Sequence, residues 1–300
     1  MKKKSSSIDL AEKPFDSKLK GEWEGYYHNN LIFLDIYLKN NYKDDVFIDP
    51  FTTIFMSETP FLNKYKFGII DDITGKNHPY DSTSKNSPIY KKFFSSVRNR
   101  NNRFSYFQIS HSLYIYDEEI REGHAMSFLY DKKSNEVEMF DSSNTHYHLK
   151  FKKKIIKFFT EIYGNKVKII FPEFCLNLTK LQTECDLEGG NYKSKGFCII
   201  WNLWYLEMRL RNKKLSRQEV LYKAVKSLKN DKEKICRTIK GYAQFVNSLT
   251  KNYIIFGDRK TYIFIYDKKS FIDLPIKLIK SIGLQATIVH YLKQLIFKKN

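Results

Sequence analysis

The sequence predicts an α+β fold, and three stretches carry that prediction. Residues 103–116, RFSYFQISHSLYIY, alternate aromatic and polar side chains in the manner of a β-strand. Residues 124–130 and 137–141 are also strand-like, and the turn-forming residues 131–135 between them predict a hairpin. Residues 195–210, KGFCIIWNLWYLEMRL, are apolar on nearly every face, which predicts a buried helix. We therefore expect a mixed sheet packed on one buried helix.

The other elements are predicted from periodicity and from capping residues. Amphipathic patterns predict further helices, and Ser216 and Asp231 are plausible N-caps for two of them. The turn-rich residues 72–88 predict a loop or a subdomain seam. These further elements are helices at 30–40, 88–99, 148–163, 215–228, 231–250 and 284–297, a strand at 167–171, and a late hairpin at 253–266.

Composition divides the chain into four regions. Residues 1–20 are rich in Lys and Ser and are predicted to form a disordered basic tail. Residues 21–102 form an N-terminal accessory segment, residues 103–250 the core, and residues 251–300 a C-terminal hairpin and helix extension.

The charge balance is strongly basic. The chain has 52 Lys and Arg against 33 Asp and Glu, a formal net charge of +19. Such a surface attracts nucleic acid or an acidic protein partner. No finger, aromatic RNA-binding signature or helix-turn-helix accompanies the charge, so we expect only weak nucleic-acid binding through the basic surface.

Cysteine usage and hydropathy indicate the compartment. Four cysteines in 300 residues are too few and too irregularly spaced for a disulfide scaffold. No stretch is apolar for long enough to cross a bilayer, and the basic start lacks the apolar region of a signal peptide. We expect a soluble intracellular protein with reduced thiols and no membrane contact.

Three residues with acid, base and nucleophile chemistry stand at informative places. A hairpin turning near Lys133 places His124 opposite a residue between Asp141 and Ser143, so that the carboxylate can orient the imidazole. Cys198 lies at the start of the buried helix, where free backbone N–H groups and the helix dipole favour a thiolate.

The order of these motifs resembles a clan of cysteine proteases that includes the SUMO-specific proteases and the adenovirus protease. The motifs are Gly123-His124, Phe140-Asp141-Ser142, Leu181-Gln182 and Gly196-Phe197-Cys198, and the Trp-rich helix is most similar to versions encoded by large DNA viruses of eukaryotes. The resemblance implies a papain-like fold over residues 103–210. It also implies that His124 is the general base, Asp141 its orienter, Cys198 the nucleophile and Gln182 an oxyanion donor.

The resemblance further implies a substrate. It would be a protein, either a conjugate of a ubiquitin-like modifier or a viral polyprotein, and no cofactor would be needed. A viral protein of this kind would work in the host cytoplasm, the nucleus or the virion. Gln182 lies farther from Cys198 than in those families, and Asn191 is an alternative oxyanion donor.

Several alternatives stay open at this point. A cysteine on an apolar helix is usually an inert small hydrophobe, and an Asp after a strand is usually a turn former. A same-clan acyltransferase and a non-catalytic scaffold that binds protein or nucleic acid are the competing functions. A zinc site built from His146, His148, Cys175 and Cys185 would need spacings that match no compact finger. Trp201, Trp204 and Cys236 are predicted to be structural.

Overall fold

The computed structural model describes most of the first 256 residues and a short strand beyond them. The described residues are 8–18, 34, 37–38, 41–42, 45–49, 52–59, 64–71, 76–98, 100–115, 118–143, 147–172, 197–228, 231–251, 254–256 and 263–265. The chain divides into two compact units, Met1–Val246 and Asn247–Asn300. The four predicted regions cut the chain differently, and their boundaries stay predictions.

A mixed sheet forms the centre of the first unit, which confirms the α+β class. Within the described residues its strand order is β4-β3-β2-β5-β6-β7-β8, and β1 also pairs with β5. The two parallel pairings next to β5 and the one between β7 and β8 interrupt otherwise antiparallel neighbours. The strands are β1 (Val46–Ile48), β2 (Thr52–Thr59), β3 (Lys64–Asp71), β4 (Lys76–Pro79), β5 (Phe104–Ile115), β6 (Glu118–Asp131), β7 (Glu136–Phe140) and β8 (Lys168–Ile170).

The described residues include five complete helices beside the sheet, and four of them begin close to where periodicity predicts. They are α1 (Pro88–Arg98), α2 (Lys152–Tyr163), α3 (Phe197–Arg211), α4 (Arg217–Leu228) and α5 (Lys232–Lys251). The predicted caps are confirmed: the Ser216 hydroxyl accepts from the Glu219 N–H, and Asp231 accepts from the Lys234 N–H at 2.8 Å. Leu34, Tyr37 and Leu38 are helical, within the predicted helix at 30–40.

The helix predicted to start at residue 148 starts later. Tyr147–Phe151 form a 3-10 turn, and the α-helix α2 begins at Lys152. His148 and Phe151 are both fully buried. A 3-10 turn aligns side chains three positions apart, so both residues point into the core at once.

The accessory segment is the part that sequence patterns describe least well. Strands β1 to β4 all lie in it, and β4 falls inside residues 72–88, which were expected to be a loop. The sequence of β4, KNHP, has no β-branched or aromatic residue, and pairing with β3 alone makes it a strand. The segment therefore extends the central sheet.

The two faces of the sheet carry different helices. Phe128 stacks edge-on against Phe159 of α2 at 4.6 Å between ring centroids. Its neighbour Ser127 donates a 3.0 Å hydrogen bond to Asn202 of α3. Because consecutive strand residues point to opposite faces, α2 and α3 lie on opposite sides of β6. The sheet is thus enclosed between them here.

The N-terminal strap, residues 9–16, lies against α3 and α5. Trp204 donates to the Leu10 carbonyl at 2.6 Å, and Lys13 pairs with buried Glu207 at 2.7 Å. Gly241 leaves room for the strap, since a Cβ there would lie 2.6 Å from the Lys13 carbonyl oxygen. Residues 1–20 were expected to be a disordered tail. These contacts instead hold part of that segment in place, and Leu10 and Ala11 are buried.

The second unit contains the predicted late hairpin. Strands β9 (Ile254–Phe256) and β10 (Ile263–Ile265) pair antiparallel, as expected. The predicted helix at 284–297 lies outside the described residues. No helix in the described part of the chain combines the length and the apolar character that crossing a membrane requires.

Candidate active site

His124 and Asp141 meet at the end of the β6–β7 hairpin, as predicted. The ladder ends at the pair Ser127 and Phe140, and continuing the same register sets His124 opposite Ser143. His124 Nε2 lies 2.7 Å from Asp141 Oδ1, which also accepts the Ser143 backbone N–H at 2.9 Å. The Asp141 side chain is fully buried and that of His124 is 11% exposed. The carboxylate is therefore both a turn former and the partner of the imidazole.

Cys198 is the second residue of α3, as the helix prediction requires. The first N–H groups of a helix have no partner within it, so those of this turn must take a partner from outside the helix. The thiol is partly exposed, whereas the following turns of α3 are buried almost all round. Trp201 and Trp204 are fully buried and pack edge-to-face, which confirms their structural role.

The pKa of His124 reflects both of its partners. Burial disfavours the imidazolium and so lowers the pKa. Hydrogen bonding and charge attraction from Asp141 and Cys198 raise it by a larger amount, and the net result is a pKa of about 10. The thiol is thus close enough to the ring to help hold its proton. Because Nε2 faces Asp141, Nδ1 is the ring nitrogen left for the sulfur.

Asn202 joins the cysteine to the strand that carries the histidine. Its amide donates to the Cys198 carbonyl at 2.8 Å and to the Ala125 carbonyl at 3.0 Å, and its oxygen accepts from Ser127. Asn202 is fully buried. The sequence analysis did not select this residue, although an amide one turn after the cysteine, inside an apolar helix, is the signal that could have identified it.

Buried charges fix the far half of α3. Arg209 forms ion pairs with Glu138 at 3.1 Å and with Asp131 at 3.5 Å, and Tyr205 donates to Glu138 at 2.6 Å. Burial raises the pKa of Glu138, and the guanidinium groups of Arg209 and Arg217 oppose that rise. Removing one member of such a group leaves an uncompensated charge, so the helix is held firmly in one rotation on the hairpin.

A second buried histidine lies next to the first. His111 is the direct cross-strand partner of His124, and its Nε2 lies 3.1 Å from Glu58, which also pairs with Lys150 at 2.6 Å. Burial lowers the pKa of His111, and the carboxylate of Glu58 only partly offsets this. His111 is therefore neutral near pH 7, which avoids a second positive charge beside His124.

The remaining predicted residues are separated from this site or lie outside the described chain. Gln182 and its alternative Asn191 lie outside the described residues, as do His146, Cys175 and Cys185. His148 is buried and stacks on Phe171 at 5.4 Å, and Cys236 is buried in α5. The described residues contain no group of three potential metal ligands.

Comparisons with known proteins add a distant structural neighbour. No family model matches the chain, and no curated protein sequence matches it. Among solved structures, the Chlamydia trachomatis effector protein ChlaDUB1 is similar, with 10% sequence identity and a TM-score of 0.43. The similarity covers 77% of this chain and 87% of that one. A likeness of this size carries no argument about activity, so the functional assignment rests on the contacts within the site.

Proposed function

We propose that this chain is a cysteine peptidase that acts on a protein substrate. The observation that supports the proposal is the arrangement of Asp141, His124 and Cys198: a buried carboxylate 2.7 Å from an imidazole, and a partly exposed thiol next to that ring at a helix start. A nucleophile, a base and a group that orients the base are the components of covalent acyl transfer.

In the proposed acylation step, His124 holds the thiol proton and Cys198 sulfur attacks the carbonyl carbon of the scissile bond. The carbonyl electron pair moves onto oxygen, then returns as the C–N bond breaks. His124 gives its proton to the departing amine. Asp141 stays ionised throughout and stabilises the imidazolium.

In the second step, water attacks the thioester carbonyl and His124 accepts a proton from it. The C–S bond breaks, a carboxylic acid leaves, and Cys198 regains its proton. The backbone N–H groups of the first turn of α3 are suited to the oxyanion of both steps. We propose Gln182 as a further donor to that oxyanion, with Asn191 as the alternative.

The proposed substrate is a conjugate of a ubiquitin-like modifier or a viral polyprotein. It follows from the resemblance of the motifs around His124, Asp141 and Cys198 to the SUMO-protease and adenovirus-protease clan. The net charge of +19 supports an acidic protein as the partner.

The test is covalent capture. Ubiquitin and SUMO probes with a C-terminal electrophile are incubated with the wild-type chain and with Cys198→Ala, and adducts are detected by mass spectrometry. An adduct that requires Cys198 is the expected result. Lack of any Cys198-dependent adduct, together with no cleavage of a peptide library, would contradict the peptidase, and consumption of acetyl-coenzyme A would indicate acyl transfer instead.

The oxyanion donor is tested separately in the same assay. Gln182→Ala and Asn191→Ala are compared, and the true donor is expected to lose roughly 10²- to 10³-fold in kcat. A loss in both variants of less than about threefold would exclude an amide side chain from this role.

A further inference from the structure

A basic groove lies on the sheet beside the candidate site. It is lined by hydroxyl and ammonium groups and has a volume of about 280 Å³, near the lower end for ligand pockets. That size suits a short extended stretch of chain rather than a folded module. Its polar lining residues include Ser57, Thr59, Lys64, Lys66, Ser110 and Ser112.

The groove follows from the alternation of β2 and β5. Ile54 and Met56 of β2 are buried, while Ser57 and Thr59 are partly exposed. Ser57 pairs with Lys66 on one side and with Ser112 on the other, so three strands contribute polar side chains to one row. On the same face, the polar residues that α3 covers, such as Ser127, are buried and bonded to the helix, whereas Ser57 is partly exposed.

The groove ends on β5, one strand away from the strand that carries His124. Ser110 lies directly opposite Ala125, whose carbonyl accepts the Asn202 amide that also holds Cys198. Gln108, two residues before Ser110, lies opposite Ser127, which bonds Asn202. Since alternate residues of a strand share a face, the groove and α3 occupy the same face of the sheet.

The charges of the groove have one sign. Lys64 and Lys66 are exposed, and their cross-strand partners are Thr59 and Ser57 rather than carboxylates. Throughout the described part of the chain, no ion pair joins either ammonium group to an acidic side chain. Lys64 and Lys66 therefore give the described lining of the groove a positive charge beside serine hydroxyls, and both kinds of donor can bind carboxylates.

We propose that this groove binds an acidic segment of the protein substrate, an inference that rests on the proposed peptidase function. Ammonium groups and hydroxyl donors are complementary to Asp and Glu side chains, and the groove lies on the face of the sheet that α3 covers. Nucleic acid is less suited to it. None of the exposed lining residues that the structure describes is aromatic, so bases would find no stacking surface.

The test measures binding apart from catalysis. Full-length Cys198→Ala is titrated against a fluorescein-labelled ten-residue peptide with six Asp or Glu residues, and against the same peptide with Asn and Gln. Lys64→Glu/Lys66→Glu is compared with Lys91→Glu/Lys92→Glu, a matched charge reversal at exposed positions of α1. We expect the first pair to weaken acidic-peptide binding at least about tenfold more than the second.

Three results would overturn the groove. The first is equal weakening of peptide binding by both pairs of substitutions. The second is equal affinity for the acidic and the neutral peptide. The third is that Lys64→Glu/Lys66→Glu weakens the binding of single-stranded DNA more than it weakens the binding of the acidic peptide. Binding without any Cys198-dependent cleavage would contradict the peptidase and leave the groove standing, so the two failures are distinguishable.

Discussion

His111 and His124 face each other across strands β5 and β6, and their pKa values move in opposite directions. Burial lowers that of His111, whereas Asp141 and Cys198 raise that of His124 to about 10. One buried imidazole is thus neutral and its neighbour is protonated. Each ring lies beside a carboxylate, Glu58 or Asp141, but only His124 also contacts the thiol of Cys198.

The two histidines give stability opposite pH dependences. His124, with a raised pKa, contributes stability that is complete below about pH 6.5 and is lost as pH rises through about 10. His111, with a lowered pKa, makes stability fall as pH drops below about 6.5, because the unfolded chain then binds an extra proton. Each slope is at most about 1.4 kcal/mol per pH unit.

Denaturant unfolding between pH 5 and 10 measures both slopes. His111→Asn is expected to flatten the acidic limb and His124→Asn the alkaline limb, whatever each substitution costs overall. If His111→Asn changed only the alkaline limb, the assignment of the neutral ring would be wrong.

Asp141→Asn is expected to move the alkaline limb of activity to lower pH. Without the carboxylate, the pKa of His124 falls. The ring then loses its proton at a lower pH, and above that pH it has no proton to give to the departing amine. We expect kcat to fall roughly 10²- to 10⁴-fold near neutral pH. The measurement is kcat/KM against pH on a fluorogenic substrate, with an NMR titration of the imidazole. An unchanged alkaline limb would contradict the role of Asp141.

Asn202→Leu is expected to lower activity and stability together. It removes the amide that donates to the carbonyls of Cys198 and Ala125 and accepts from the Ser127 hydroxyl, which costs about 1 to 3 kcal/mol at a buried position. Ser127→Ala is the matched control, since it removes one bond to Asn202 and keeps both donors. We expect a lower kcat and slower alkylation of Cys198 in Asn202→Leu only. Equal effects in the two variants would show that the loss of activity comes from altered packing rather than from the hydrogen bonds that Asn202 donates.

Gly241→Ala is expected to destabilise the protein, the reverse of the usual effect in a helix. Alanine in place of a glycine inside a helix normally raises the free energy of unfolding by about 1 kcal/mol. Here the new Cβ would lie 2.6 Å from the Lys13 carbonyl oxygen, so the N-terminal strap must move. Thermal unfolding of the full chain and of a chain lacking residues 1–18 tests this. The penalty should vanish without the strap, and its persistence would place the strain elsewhere.

Sequence patterns predicted the local parts of this site well. The register that sets His124 near Asp141 follows from the hairpin turn, and the place of Cys198 follows from where an apolar run begins. Both depend on residues close together in the chain. The catalytic roles of these residues stay predictions until activity is measured.

The missed parts are those that depend on which elements pair or pack together. Strand β4 exists because β3 pairs with it, and His111 lies beside His124 because β5 pairs with β6, although in both cases the two strands are close in the chain. Asn202 has meaning only once α3 is set against β6, where its three bonds form. Periodicity describes which face of an element is buried, but not what that face contacts.

The N-terminal strap has a consequence for biosynthesis. Its contacts join residues about two hundred positions apart: Leu10 with Trp204, and Asp9 with Asn212. During translation the strap leaves the ribosome first, yet its docking surface on α3 emerges last among these elements. Such long-range contacts form slowly, after the local hairpin has closed. A nascent chain thus carries the His124–Asp141 pair well before it has Cys198, and a chain that stops before α3 has no thiol at this site.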